Sequence, residues 1–262
     1  QLDIPQTALQ SYNQLAWFDG VADCATITNH DDFTFGDGSA DSVFSVSAWV
    51  FIGSASATGT GGGIVSKYSS GQAEWSLSLL DGYIRFYAYD QTATSHVGQK
   101  TDARVEVGKW LHVVGTYSAN EDNDGFKIYI NGEEAASSNY ASGSYTAMED
   151  KTSDVKIGEH STDFLLGGIT EVAIWSYELN HTVIKELYNE GRAANALTAS
   201  NSSSLKGYWR NNGLATWPNL NNPGTHDAAA TSLTETLLLP AGVDASRDNQ
   251  GFIMNRQKDT KC

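Results

Sequence analysis

Gly168-Ile169-Thr170-Glu171-Val172-Ala173-Ile174-Trp175-Ser176-Tyr177-Glu178-Leu179, followed by Ile184-Lys185-Glu186-Leu187-Tyr188, reads as one strand, a tight corner and a short amphipathic helix. Leu179, Val183, Ile184, Leu187 and Tyr188 fall on one apolar stripe. Asn180 is the expected N-cap and Gly191 the expected C′ stop. The stripe is expected to cap an open end of the fold. With Phe18-Asp19-Gly20 upstream, the segment is expected to close a sandwich of two sheets.

Alternation of apolar and polar residues spreads outward from this segment over residues 15–177. Phe44, Val46, Ala48, Val50 and Ile52 share one face of a strand, and Trp49 and Phe51 share the other, so both faces are covered. Gly59 to Gly63 read as a glycine-rich loop. Asp81-Gly82 and Asn131-Gly132 are two-residue hairpin turns. After Gly191 the pattern weakens into a small-residue linker, then Gly207-Tyr208-Trp209-Arg210 and Ala215-Thr216-Trp217-Pro218, which lay tryptophans back onto the domain. The expected division is an extension over 1–13, the sandwich over 14–192, an appendage packing back on it over 193–239 and an extended tail over 240–262.

Charged residues make up only 18% of the 262, the texture of an all-β domain rich in turns. Sixteen basic against 31 acidic residues give a net charge of −15, which repels phosphate backbones and argues against a nucleic-acid partner. No apolar run approaches the ~18 residues that span a bilayer. Two cysteines, Cys24 and Cys262, exclude a disulfide framework. They either staple the tail to the second strand or remain a buried thiol and a terminal one. A chain that begins at Gln1 is expected to have been trimmed by a signal peptidase or a maturation protease.

Several segments, taken in order, resemble the laminin-G-like branch of the concanavalin A-like lectin/glucanase superfamily. They are Phe18-Asp19-Gly20, Val46-Ser47-Ala48-Trp49-Val50, Gly108 to Tyr117 with its Trp110, Ile128-Tyr129-Ile130-Asn131-Gly132, and Gly168 to Leu179. The resemblance covers roughly residues 14–190. It implies an all-β, two-sheet antiparallel jelly roll with one short C-terminal helix, often carrying a structural calcium. It also implies a metal site at Asp19, Thr170 and Glu171, with Thr170 standing where the family has an aspartate. The appendage and tail resemble the segments C-terminal to such modules in large structural proteins of marine phages.

The residues themselves suggest other chemistry. Laminarinase-type glucanases of this fold carry Glu-x-Asp-x-x-Glu on one strand, but here no glutamate is followed two residues later by an aspartate, so the catalytic strand is missing. No Gly-x-Ser-x-Gly elbow occurs either. Glu121-Asp122-Asn123-Asp124-Gly125 has the first spacing of a calcium loop without its distal glutamate, and a solvated hairpin loop is the plainer reading. His96, His112, His160 and Asp163 show no tetrahedral metal spacing.

Aromatic platforms with polar neighbours suit sugar rings. Trp75, Tyr83, Arg85, Tyr87 and Tyr89, on adjoining strands, are the candidate ligand-binding residues, with Tyr68, His96 and Asp163 at the rim. Ordinary sheet-covering aromatics are the competing reading. The leading expectation is a non-catalytic, lectin-like module that binds glycans or glycosylated surfaces, extracellular or on a virion. The alternative is a structural or decoration protein whose residues 240–262 dock on neighbouring copies. A divergent glycoside hydrolase comes third.

Overall fold

The computed structural model describes residues 14–53, 61–233 and 235–238. Residues 1–13, most of the loop before Gly61, and the tail expected to dock on a neighbour lie outside the described residues, as does Cys262. Cys24 is buried, with its Sγ 3.9 Å from Thr26 Oγ1.

Among the described residues the strands run in chain order as β1 (Gln14–Asp19), β2 (Cys24–Ile27), β3 (Phe44–Ile52), β4 (Gly62–Lys67), β5 (Trp75–Leu80), β6 (Tyr83–Asp90), β7 (Ser95–Thr101), β8 (Trp110–Tyr117), β9 (Phe126–Ile130), β10 (Glu133–Glu134), β11 (Ser137–Asn139), β12 (Val155–Ile157), β13 (Glu159–His160), β14 (Asp163–Phe164), β15 (Leu166–Trp175), β16 (Leu205–Trp209), β17 (Thr216–Trp217), β18 (Ala228–Thr231) and β19 (Glu235–Leu238). One α-helix, α1 (His181–Tyr188), follows β15. The first sheet has the order β10-β9-β8-β3-β15-β1-β19, with β16 also paired to β15. The second has the order β11-β7-β6-β5-β4-β12-β2-β18-β17. The described pairings are antiparallel, as the two-sheet jelly roll requires.

Alternation sends Phe44, Val46, Ala48, Val50 and Ile52 of β3 into the space between the sheets, where they are fully buried. The second sheet answers with Ile64, Trp75, Leu77, Ile84 and Phe86. Both predicted hairpin turns have positive φ at both central residues: 53° and 80° at Asp81-Gly82, 53° and 82° at Asn131-Gly132. That is the type I′ geometry whose twist matches the flanking strands.

The helix does not cap an open end of the sandwich. Leu179, Val183, Ile184 and Leu187 pack on Val114, Tyr129, Ala173 and Trp175, the outward residues of the first sheet. The reason is periodicity: with Val172 and Ile174 turned inward, Trp175 must face outward and needs an apolar cover. Trp49 is covered by the near-parallel ring of Tyr188, and Phe51 lies between Trp17 and Trp110. Asn180 caps the helix by accepting from the Val183 N–H at 3.1 Å. The helix stops earlier than Gly191 predicts, because Asn189 already adopts the left-handed conformation at φ 45°.

Residues 193–238 supply β16 and β19 to the first sheet and β17 and β18 to the second. Trp209 and Trp217 are fully buried in the common core. The glycine loop predicted over Gly59 to Gly63 is shorter than expected at its far end, since Gly62 and Gly63 belong to β4.

One buried ion pair sits within this framework. Lys67 donates to Glu74, to Thr34 Oγ1 and to the Lys151 carbonyl, and both charged side chains are wholly inaccessible. Burial pushes the Glu74 carboxyl up to about 7, against the opposing pull of the Lys67 charge. The folded chain therefore holds that proton more tightly than the unfolded chain, and folding stability falls as pH rises from about 4.5 to about 7. Urea denaturation across this range is expected to show that decline in the wild type and a flatter profile in Glu74→Gln. Parallel profiles would remove Glu74 as its source.

Candidate functional site

Pairing of β5 with β6 sets Trp75 opposite Ala88 and Leu77 opposite Phe86. Trp75 therefore faces the core, where its Nε1 donates to the Phe33 carbonyl at 2.9 Å. It is not a ligand platform, contrary to the expectation from sequence. Tyr83, Arg85, Tyr87 and Tyr89 do share the outward face of β6, as alternation predicts.

Arg85, Tyr87 and Tyr89 line a depression of about 300 Å³ on the outer face of the second sheet. Tyr68, His96, His160, Asp163 and Tyr140 complete its walls. Tyr83 lies outside it on the same face, under Lys100 and Arg104, whose charged ends are 5.0 and 5.5 Å from its ring centre. The three rim candidates Tyr68, His96 and Asp163 are thus brought together with most of the platform. His160 and Tyr140 carry no local signal: one arrives on the β13–β14 hairpin, the other just after β11, which pairs with β7.

Two glycines seat that hairpin. A Cβ built on Gly63 would lie 1.9 Å from the Glu159 carbonyl oxygen, and one on Gly62 would lie 2.4 Å from the Leu165 nitrogen. Without those side chains the hairpin backbone lies down on β4, and Ser66 Oγ donates to the Glu159 carbonyl at 2.7 Å. His160 is then stacked on Tyr68 at 4.4 Å, and its Nε2 is 2.7 Å from the Tyr87 hydroxyl. His96 and Tyr140 have ring centres 4.4 Å apart, and Arg85 lies 4.7 Å over the Tyr140 ring.

Burial holds the His160 and His96 imidazoles below their ordinary value; the Asp163 charge opposes this at His160, and the Arg85 charge adds to it at both. Both are neutral at pH 7 and serve as hydrogen-bonding groups. Burial also raises the Tyr68 and Tyr87 hydroxyls, which stay protonated. Among the described residues lining the depression, Asp163 alone carries a carboxylate. The surface thus offers ring faces, neutral donors and acceptors, one guanidinium and one carboxylate.

The three residues expected to hold calcium are not brought together. Asp19 is exposed and spends its carboxylate on its own turn, accepting from Val21 N at 2.8 Å and Ala22 N at 3.3 Å. It lies opposite Leu166, five residues along β15 from Glu171, roughly 16 Å at ~3.3 Å per residue. Glu171 is buried against Arg210, Nε to Oε1 2.7 Å, and accepts from the Tyr208 hydroxyl. Thr170 Oγ1 accepts from Asn211 N. The physical reason is register: β1 pairs Asp19 with Leu166 at the start of β15, while Glu171 sits further on at φ 51°, in a bulge between Thr170 and Ala173. This donor set does not fit calcium, whose site needs several oxygens converging on one point. In the acidic loop, Asp122 caps Asn123 N and Asp124 accepts from Asn120, as a hairpin turn uses them.

A different cluster holds metal-ligand side chains together. His30 Nδ1 and His226 Nε2 lie 3.4 and 3.5 Å from Asp32 Oδ2, while Lys206 holds Oδ1 at 2.9 Å. His30 Nδ1 also accepts from Asp32 N. Burial opposes ionisation of Asp32, but the Lys206 bond and charge and the two imidazoles outweigh it and lower its pKa. An ion cluster satisfied by Lys206 accounts for this geometry.

A family model described as the concanavalin A-like lectin/glucanases superfamily matches residues 20–185. The chain belongs to this superfamily. No curated protein matches the sequence. Among solved structures, a candidate carbohydrate-binding protein from Bacteroides ovatus ATCC 8483 is 15% identical with a TM-score of 0.56, over 87% of this chain and 61% of that one. The chain thus spans about three fifths of that protein's length. The structure reporting that cell entry of botulinum neurotoxin type C depends on interaction with two ganglioside molecules is 17% identical, TM-score 0.47, over 70% and 43% of the two chains. A heptameric SAP-like pentraxin from Limulus polyphemus is 13% identical, TM-score 0.44, over 68% and 82%. At these identities the likeness of the Bacteroides protein concerns the fold alone. No helix among the described residues is long and apolar enough to cross a membrane.

The seating of the hairpin is open to a direct check. Gly63→Ala is expected to lift the hairpin, expose His160 and move its titration up toward the ordinary 6.5, as read by histidine proton NMR. An unchanged His160 titration in a folded variant would show that the hairpin does not need the bare backbone at Gly63.

Proposed function

We propose that this superfamily member is a non-catalytic, lectin-like module that holds a glycan on the outer face of its second sheet. The observation that carries the reading is the depression walled by Tyr68, Tyr87, Tyr89, Tyr140, His96 and His160 with Arg85 and Asp163 among them. Aromatic faces take the C–H faces of sugar rings, while neutral imidazoles, phenols and single charges take their hydroxyls. The Bacteroides protein that shares the fold, a candidate carbohydrate binder, is in keeping with this.

Glycoside hydrolysis by retaining or inverting chemistry uses two carboxyl groups flanking one bond. Among the described residues, the lining provides Asp163 alone, which supports binding without cleavage. The depression is built without Asp19, Thr170 or Glu171, so glycan capture in this reading is independent of calcium. Such a module acts where glycans are displayed, outside a cell or on a virion surface.

A glycan array probed with the full chain, with calcium and with chelator, tests this. Saturable binding to at least one glycan is expected in both conditions. Tyr89→Ala and Tyr68→Ala are each expected to weaken it about tenfold, ~1.4 kcal/mol, with the circular dichroism unchanged. Silence across the array retires the glycan reading, and binding lost in chelator would return calcium to the site.

A further inference from the structure

The second sheet carries an arrangement of charge that its own packing does not explain. The chain has 16 basic and 31 acidic residues, so a cation without a carboxylate nearby is the exception. Arg85 of β6 and Lys100 of β7 are directly opposite each other in the ladder, both on the outward face. Like charges set opposite in a strand pair destabilise it. Neither residue takes part in an ion pair among the described residues.

Their surroundings are aromatic instead. The Arg85 guanidinium lies over Tyr140 and donates through Nη1 to its hydroxyl at 3.3 Å, while its Nε is buried without a partner. Lys100 lies over Tyr83, and Arg104 reaches the same ring. Ring faces attract cations but do not neutralise them. Arg85, Lys100 and two tyrosines therefore form a strip that continues from the depression, at Arg85, along β6 and β7 toward Tyr83. Asp163 shares the depression with Arg85, and Asp102 accepts from Ser138, the ladder partner of Lys100, but neither carboxylate forms an ion pair with Arg85 or Lys100.

We infer that the ligand of this face is an acidic sugar whose carboxylate lies against Arg85 and Lys100 while its rings rest on the tyrosines, an inference that rests on the glycan-binding reading above. The missing counter-charge is supplied by the ligand. A neutral sugar would leave the like-charged pair without an ion-pair partner, whereas a uronic acid residue supplies one on binding. Guanidinium geometry matches a planar carboxylate.

Uronic-acid oligosaccharides compared with their methyl esters provide the test, because esterification removes the charge and keeps the ring. Isothermal titration of the full chain is expected to show the acid form binding at least tenfold tighter than its ester, with the difference shrinking as NaCl is raised. Lys100→Gln and Arg85→Gln are each expected to reduce that preference several-fold. Lys127→Gln, on the first sheet, is expected to leave it intact and so controls for net charge. Equal affinity for acid and ester, or a preference that survives both Gln substitutions, overturns the acidic ligand while leaving the glycan reading in place. Binding of neutral glycans alone does the same. No binding to any glycan, acidic or neutral, removes both.

Discussion

Phe44 is where the two sheets are joined, and the functional face depends on that contact. Its ring lies 4.4 Å from Phe35, 5.4 Å from Phe86, 5.6 Å from Trp75 and 5.9 Å from Tyr117, so one side chain of β3 meets both β5 and β6 across the interior. Aromatic contacts of this kind add to the burial of the rings themselves. Once Trp75 and Phe86 are committed inward, the period of two leaves Arg85, Tyr87 and Tyr89 no choice but the outer face. The binding surface is in this sense the reverse side of the core.

The interior was legible because alternation and turn chemistry agree. The inward set of β3, the two type I′ turns and the N-cap at Asn180 are all local, and each follows from a few adjacent residues. Trp75 looks like a platform residue by its neighbourhood, but register decides its face. A two-residue turn at Asp81-Gly82 makes Trp75 face Ala88, and hence share the face of Phe86, an inward position that the turn alone specifies. The bulge at Glu171 was not legible. An extra residue there breaks the period of two, and the long-range register that pairs Asp19 with Leu166 separates Asp19 from Glu171, which look like a pair in the sequence pattern.

The site itself was half visible. Arg85, Tyr87 and Tyr89 announce themselves by spacing on one strand. His160 and Tyr140 do not, because they reach the depression through long-range pairings and through a hairpin that rests on Gly62 and Gly63. Those glycines read as loop residues from sequence. Their role is the opposite of flexibility: they remove bulk so that one backbone lies directly upon another. Where a site is assembled by such close approach, residue type at the ligand wall says less than absence of a side chain beneath it.

The pairing of β1 with β19 has a mechanical consequence. Gln14 faces Leu238 and Trp17 faces Glu235, so the two strands run antiparallel with residues 14 and 238 side by side at one end of the ladder. Tension applied between these points pulls along the hydrogen bonds, which run perpendicular to the strands, so the bonds load one after another. The pair would open as a zipper at low force, while β3, β8 and β15 behind it, joined along their full length, would stay closed. A fold built this way can yield at this edge while the outer face of its second sheet stays intact.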